Sequence, residues 1–202
     1  MIDLDNIPLY CLHIPSQVDR EDNMIKELNY FRPSGNYIIS PAERRFPGYD
    51  GVSRSFKNVI REAKLKEYDK ILIFEDDIQF TSDKSKEHFQ SALNTLPNDW
   101  DIVLGCSYGF KGVPYNEYFE KVTRFTSFIC VIFRETVYDK LLSHNINNIK
   151  HIDAYISSMC DQLNVYITHP MICKQYDNAY SSNKHKIVDY SKNIINYKFI
   201  TN

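Results

Sequence analysis

The chain has 202 residues, 43% of them hydrophobic and 25% charged, with a formal net charge of -2. That length suits one domain with a substantial core. The balanced charge excludes a protein that holds nucleic acid or an anionic membrane through a strong overall field.

In chain order, Ile7–Ile14 (IPLYCLHI) reads as a short strand, ended by Pro15 and Ser16. A polar helical stretch follows over about 19–29. Asn36–Ser40 reads as a second strand, and Pro41–Gly51, with its Pro, Gly, Arg and Asp, as a loop. Val52–Lys66 has apolar residues near helical spacing at Phe56, Val59, Ile60, Ala63 and Leu65, with Ser53 or Ser55 as the expected cap. Asp69–Phe74 holds the uninterrupted run ILIF of a central strand covered on both faces. Glu75-Asp76-Asp77 follows at its carboxyl end. A helix over Asp83–Leu96 closes at Pro97, and Asp101–Cys106 is another buried strand. Residues 107–118, rich in Gly, Tyr and Pro, read as a long loop. Glu120–Phe125 and Phe128–Phe133 read as a pair of strands, Glu135–Ser143 and Asp153–Leu163 as helices, and Val165–Thr168 as the last clear strand.

Alternating strands and helices predict an α/β domain with a mostly parallel sheet, and the adjacent later strands an antiparallel part. Residues 1–183 are expected to form the domain and 184–202 a polar tail. Cysteines 11, 106, 130, 160 and 173 have no zinc-knuckle or redox-pair spacing and read as reduced thiols. No basic-plus-apolar leader is read and no apolar run approaches the roughly 18 residues that span a bilayer. The expected location is the cytoplasm, with membrane contact peripheral at most.

Ligands of open α/β sheets bind at the carboxyl ends of the strands. Three carboxylates ending a buried strand are costly unless their charge is balanced. A divalent cation does this, because Mg²⁺ and Mn²⁺ prefer oxygen ligands shared between carboxylates and phosphates. In an extended segment Glu75 and Asp77 face one way and Asp76 the other. Asp77 is therefore the expected metal ligand, helped by Glu75 or Asp76 directly or through water.

Several segments together resemble glycosyltransferase family 25, which includes bacterial lipooligosaccharide sugar transferases and procollagen galactosyltransferases. They are YCLHIPSQVDR, ending at Arg20, then Gly51-Val52-Ser53-Arg54-Ser55-Phe56, the Glu75-Asp76-Asp77 strand and Trp100-Asp101-Ile102-Val103-Leu104. FICVIFRETVYDKLL, Ile152-Asp153-Ala154-Tyr155 and VYITHP, with Gln175 and Ser181-Ser182 beyond it, complete the order over about residues 7–183. Phe56 and Val52 stand where the family has His and Cys.

The resemblance implies a GT-A fold, Rossmann-like, and an inverting hexosyltransferase. Its donor would be a nucleotide-diphosphate sugar, UDP-galactose or UDP-glucose above others, its acceptor a glycan or glycoconjugate hydroxyl, and its cofactor Mn²⁺ or Mg²⁺. Glu75-Asp76-Asp77 becomes a DXD-like diphosphate–metal anchor. Arg20 is expected at the diphosphate or nucleotide. Gly51 and Ser55, at a helix N-terminus, are expected near a phosphate. Asp153 is the candidate general base, and as an N-cap it would also be worth about 1 kcal/mol. His169 and His185 are candidates to complete the metal shell. A catalytically inactive binding module and a transferase acting on modified DNA bases are the alternatives, the latter disfavoured by the acidic balance.

Overall fold

A computed structural model describes residues 2–176, 179–181, 186–188 and 198–201, the short segments 179–181 and 186–188 by backbone alone. The first half alternates β1 (Leu9–His13), α1 (Glu21–Phe31), β2 (Ile38–Pro41), α2 (Gly48–Leu65) and β3 (Lys70–Glu75). The chain continues through β4 (Ile78–Phe80), α3 (Ser85–Leu93), β5 (Ile102–Leu104), β6 (Gly109–Pro114), β7 (Phe119–Thr126) and β8 (Cys130–Arg134). Then come α4 (Tyr138–Ser143), α5 (Ile152–Ser157), β9 (Val165–Thr168), β10 (Cys173–Gln175), β11 (Ala179–Ser181) and β12 (Lys186–Val188).

Among the described residues the central sheet has eight strands in the order β2-β1-β3-β8-β5-β9-β7-β6. β1 pairs in parallel with β2 and β3, and β5 with β9; β8 and β7 run against their neighbours. Six strands therefore point one way and two the other, giving the mixed, mostly parallel α/β sheet that the alternation predicts. The physical cause is visible in the sequence. β1, β3, β5 and β8 are apolar on both faces and almost wholly buried, and fully burying each Leu, Ile, Val or Phe is worth about 1.5–3 kcal/mol. Such strands take the middle of the sheet.

Three local expectations are corrected. β7 and β8 do not pair: β7 lies between β6 and β9, and β8 between β3 and β5. β7 buries only Phe119, Val122 and Phe125, whereas Cys130–Phe133 are all buried, so the two segments belong at different depths of the sheet. Residues 107–118 are not a plain loop, because Gly109–Pro114 forms β6, the outer arm of a hairpin with β7. The third correction concerns α2, which begins at Gly48, with Pro47 at the N-cap and no side-chain cap, so Ser53 and Ser55 lie inside the helix.

Ser53 instead meets His144 at 2.9 Å. Ser55 accepts from the Glu43 backbone N–H at 2.9 Å and donates to the Gly51 carbonyl at 2.8 Å. All five cysteines are free and buried. No helix among the described residues is long and apolar enough to cross a membrane. Phe199 bridges Met171 in parallel, and Ile200 donates to the Met171 carbonyl at 3.1 Å.

Candidate active site

β1 and β3 are parallel neighbours, with Leu12 opposite Glu75. Their carboxyl ends therefore reach the same edge of the sheet, bringing His13 beside the acidic triplet. β3 ends at Glu75, and Asp76-Asp77 form the turn into β4. Strict alternation stops there, which changes one expectation: Asp76 and Asp77 face a common partner. Arg20 Nη1 donates to Asp76 Oδ1 at 2.5 Å and to Asp77 Oδ2 at 3.2 Å. His13 Nδ1 lies 2.8 Å from Asp76 Oδ2. Asp76 is thus held from two sides.

Asp77 is differently placed. Its Oδ2 also accepts from the Gln175 side-chain amide, and its backbone carbonyl accepts from the Tyr176 N–H at 2.7 Å. Its Oδ1 is buried and has no hydrogen-bond partner. Burial first, then the charge of Asp76, pushes the Asp77 carboxyl up to about 6 against the pull of Arg20. Glu75 rises well above the usual carboxylate range, because of burial and then the charges of Asp77, Asp76 and Asp153. One guanidinium therefore leaves this carboxylate group under-compensated.

Asp153 lies across the same cleft, which Arg20, Glu75, Asp76, Asp77, Tyr108, Ser127 and His151 also line. The expected N-cap role is corrected: His151 is the N-cap of α5, and Asp153 is the second helical residue. Its Oδ2 accepts from the Ser127 backbone N–H at 2.6 Å. Ser127 adopts φ 74°, the left-handed region that a non-glycine residue enters at a cost of about 1–2 kcal/mol. That turn separates β7 from β8 and directs its N–H at Asp153.

The remaining sequence candidates are distributed as follows. Gly51 sits in the first turns of α2 against the preceding loop, where a Cβ would lie 2.2 Å from the Glu43 carbonyl oxygen. Ser55 lines the cleft, with its hydroxyl engaged by that same loop. His169 is not brought to the triplet. Phe119 of β7 faces Thr168 of β9, so Glu120 falls beside His169, with Nδ1 and Oε1 3.1 Å apart. His185 lies outside the described residues. Of the loop tyrosines, Tyr108 lines the cleft, while Tyr115 packs edge-on against Tyr166 and Tyr118 packs against His88.

No family model and no curated protein matches the chain. Solved structures do match. A glycosyltransferase involved in the glycosylation of the major capsid of PBCV-1 superposes with a TM-score of 0.52 at 9% identity, covering 80% of each chain. A197 from STIV superposes with a TM-score of 0.52 at 12% identity, covering 91% of this chain and 93% of that one. The likeness is one of fold, and it agrees with the Rossmann-like mixed sheet described above.

A divalent cation fits the donors present. Asp77 Oδ1 is an orphaned buried oxygen, and no side-chain hydrogen bond engages Glu75 among the described residues. Among those residues no group of three or more His, Cys, Asp or Glu side chains is already gathered to hold a metal. One or two carboxylates are what Mg²⁺-type sites use when phosphates and water supply the remaining ligands.

Two residues of the segments quoted above have roles that no local pattern gives. His13 is legible only once β1 and β3 are paired. Gln175 lies 98 residues from Asp77, and no local pattern links them. Phe56, where the family has His, is fully buried and packs against Phe128 and Phe133 with ring centroids 5.4 and 6.4 Å apart.

Proposed function

We propose that the chain is a glycosyltransferase of the family 25 type, moving a hexose from a nucleotide-diphosphate sugar to a glycan or glycoconjugate hydroxyl with inversion. The carrying observation is the cleft at the carboxyl ends of β1 and β3. There Glu75 and the unpartnered Oδ1 of Asp77 share the cleft with Asp153. Uridine diphosphate sugars, UDP-galactose or UDP-glucose, are the proposed donors, and the acceptor is a surface or envelope glycan.

Asp77 and Glu75 are the residues that would hold Mn²⁺ or Mg²⁺. When bound, the cation neutralises charge developing on the departing diphosphate. Asp76, fixed by His13 and Arg20, supports the arrangement and takes no direct part. Arg20 sets the charge balance on the nucleotide side. Gly51 and Ser55 contribute by fixing the loop of residues 42–45 along the cleft wall.

Asp153 is the general base. The Ser127 N–H occupies Oδ2, so Oδ1 is the oxygen that takes the proton from the acceptor hydroxyl. That hydroxyl oxygen forms the new bond to the anomeric carbon from the face opposite the nucleotide. The old bond to the diphosphate oxygen breaks, and the nucleoside diphosphate leaves with its electron pair. One base suffices for this single displacement.

Calorimetry with uridine diphosphate, with and without Mn²⁺, tests the reading, followed by a donor screen for nucleoside diphosphate release. Metal-dependent binding that disappears in Asp77→Ala is the expected result. A protein that binds no nucleotide under either condition is a binding module, not a transferase.

A further inference from the structure

β10 crosses the acidic turn and is tied to it from several directions. It pairs antiparallel with β4, placing Gln175 opposite Ile78, the residue after Asp77. Cys173 Sγ contacts Cys106 Sγ at 3.4 Å, beyond the end of β5. Just past β10, the Tyr176 N–H donates to the Asp77 carbonyl at 2.7 Å, and its hydroxyl to Asn23 Oδ1 of α1 at 2.9 Å. The β4 pairing and the Tyr176 bond thus hold the backbone of Gln175 at the acidic turn.

That amide donates to Asp77 Oδ2, while Asp77 Oδ1 stays buried and unpartnered. Arg20 Nη1 also reaches Oδ2, at 3.2 Å. An Asp77 carboxylate free to rotate would turn both oxygens onto the guanidinium, because a two-oxygen Arg–carboxylate pair is the stronger geometry. The cleft would then lose its open oxygen.

We propose that Gln175 is a positioning residue for the cation site, holding Asp77 through Oδ2 so that Arg20 cannot capture both oxygens and Oδ1 remains for the metal. This role rests on the reading of Asp77 as a metal ligand. It places a determinant of metal affinity on a strand nearly one hundred residues from the acidic triplet. Outer hydrogen-bond partners of metal ligands typically govern affinity by about 10–100-fold.

The test is an electron paramagnetic resonance titration of Mn²⁺, alone and with uridine diphosphate, against the wild type, Gln175→Met and Gln175→Ala. Methionine keeps the length and packing of glutamine but cannot donate. Mn²⁺ affinity is expected to fall about 10–100-fold in Gln175→Met, with the thermal midpoint close to that of the wild type. The alanine variant keeps the test decisive should the methionine variant fold poorly. In an Arg20→Ala background the loss caused by Gln175→Met should shrink, because the competitor for Asp77 is gone. A purely structural role predicts the same loss in both backgrounds. Wild-type affinity in Gln175→Met and Gln175→Ala, or equal losses with and without Arg20, overturns the positioning role and leaves the cation site standing. No Mn²⁺ binding by the wild type overturns the site and this role together.

Discussion

Ser127 donates its backbone N–H to Asp153 Oδ2 at 2.6 Å, from a residue held in the left-handed region. The bond engages one carboxylate oxygen and leaves Oδ1 for the proton transfer proposed above. Asp153→Asn can present its amide oxygen to Ser127 and should fold normally, yet it cannot take up a proton. Turnover is expected to drop about 10²–10⁴-fold, with the thermal midpoint nearly unchanged. Asp153→Ala should lose turnover and, in addition, about 1 kcal/mol of stability from the unmatched N–H. Donor turnover beside urea unfolding checks both, and an asparagine variant with wild-type turnover removes Asp153 from the mechanism.

Phe56 offers a test of how far the resemblance to family 25 extends. Its ring is fully buried against Phe128 and Phe133. Restoring the family residue with Phe56→His would bury a polar ring without a built partner. A loss of about 2–4 kcal/mol is expected, with no gain in turnover per folded molecule. Chemical denaturation reads the first quantity and a donor assay the second. A stable and more active variant would show that this position serves the substrate.

Gly51→Ala pits helix propensity against packing. In an open helix the change stabilises by about 1 kcal/mol. Here the added Cβ would lie 2.2 Å from the Glu43 carbonyl oxygen, a backbone atom that cannot swing aside. The loop must move, taking with it the hydrogen bond from the Glu43 N–H to Ser55. The expected outcome is destabilisation by about 1–3 kcal/mol, measured by urea unfolding, with a weaker nucleotide affinity by calorimetry.

His144 should make stability depend on pH. It is buried between Ser53 and the Ile149 carbonyl, which accepts from Nε2 at 2.6 Å. Burial, followed by the nearby Lys57 charge, lowers its pKa below the ordinary 6.5, although the bond to Ile149 works the other way. The folded state therefore prefers the neutral ring. Its stabilising contribution is complete above pH 6.5 and is lost as the pH falls through the lowered folded value. His88, also lowered chiefly by burial, adds a slope of the same sign. Urea midpoints measured between pH 7.5 and 5 should fall with acidification, and His144→Gln should flatten the curve without abolishing it. An unchanged slope in that variant assigns the effect elsewhere.

The sequence was most readable where a local pattern carried the physics. ILIF, IVL and CVIF announce strands buried on both faces, and Glu75-Asp76-Asp77 at the end of one of them marks the cleft. Reading failed where partners are distant or the signal is split. Gly109–Pro114 looks like loop because its glycines and proline conceal an edge strand that exists only against β7. β7 and β8 adjoin in sequence, yet their burial patterns send them to different places in the sheet. His13 and Gln175 acquire meaning only from β1–β3 and β4–β10 pairing. Asp153 read as a cap because its composition suits that role, but His151 occupies the boundary and frees Asp153 to receive Ser127.

The pairing of β10 with β4 also bears on the order in which the molecule matures during synthesis. Residues that build the β1–β3 edge emerge early from a ribosome, whereas Gln175 and Tyr176 emerge about a hundred residues after Asp77. In a nascent chain the acidic turn is present long before the strand that ties it down. A chain halted anywhere in that interval would carry the carboxylates without the Gln175 contact to Asp77, so the cation site proposed above is complete only once residue 175 has been made.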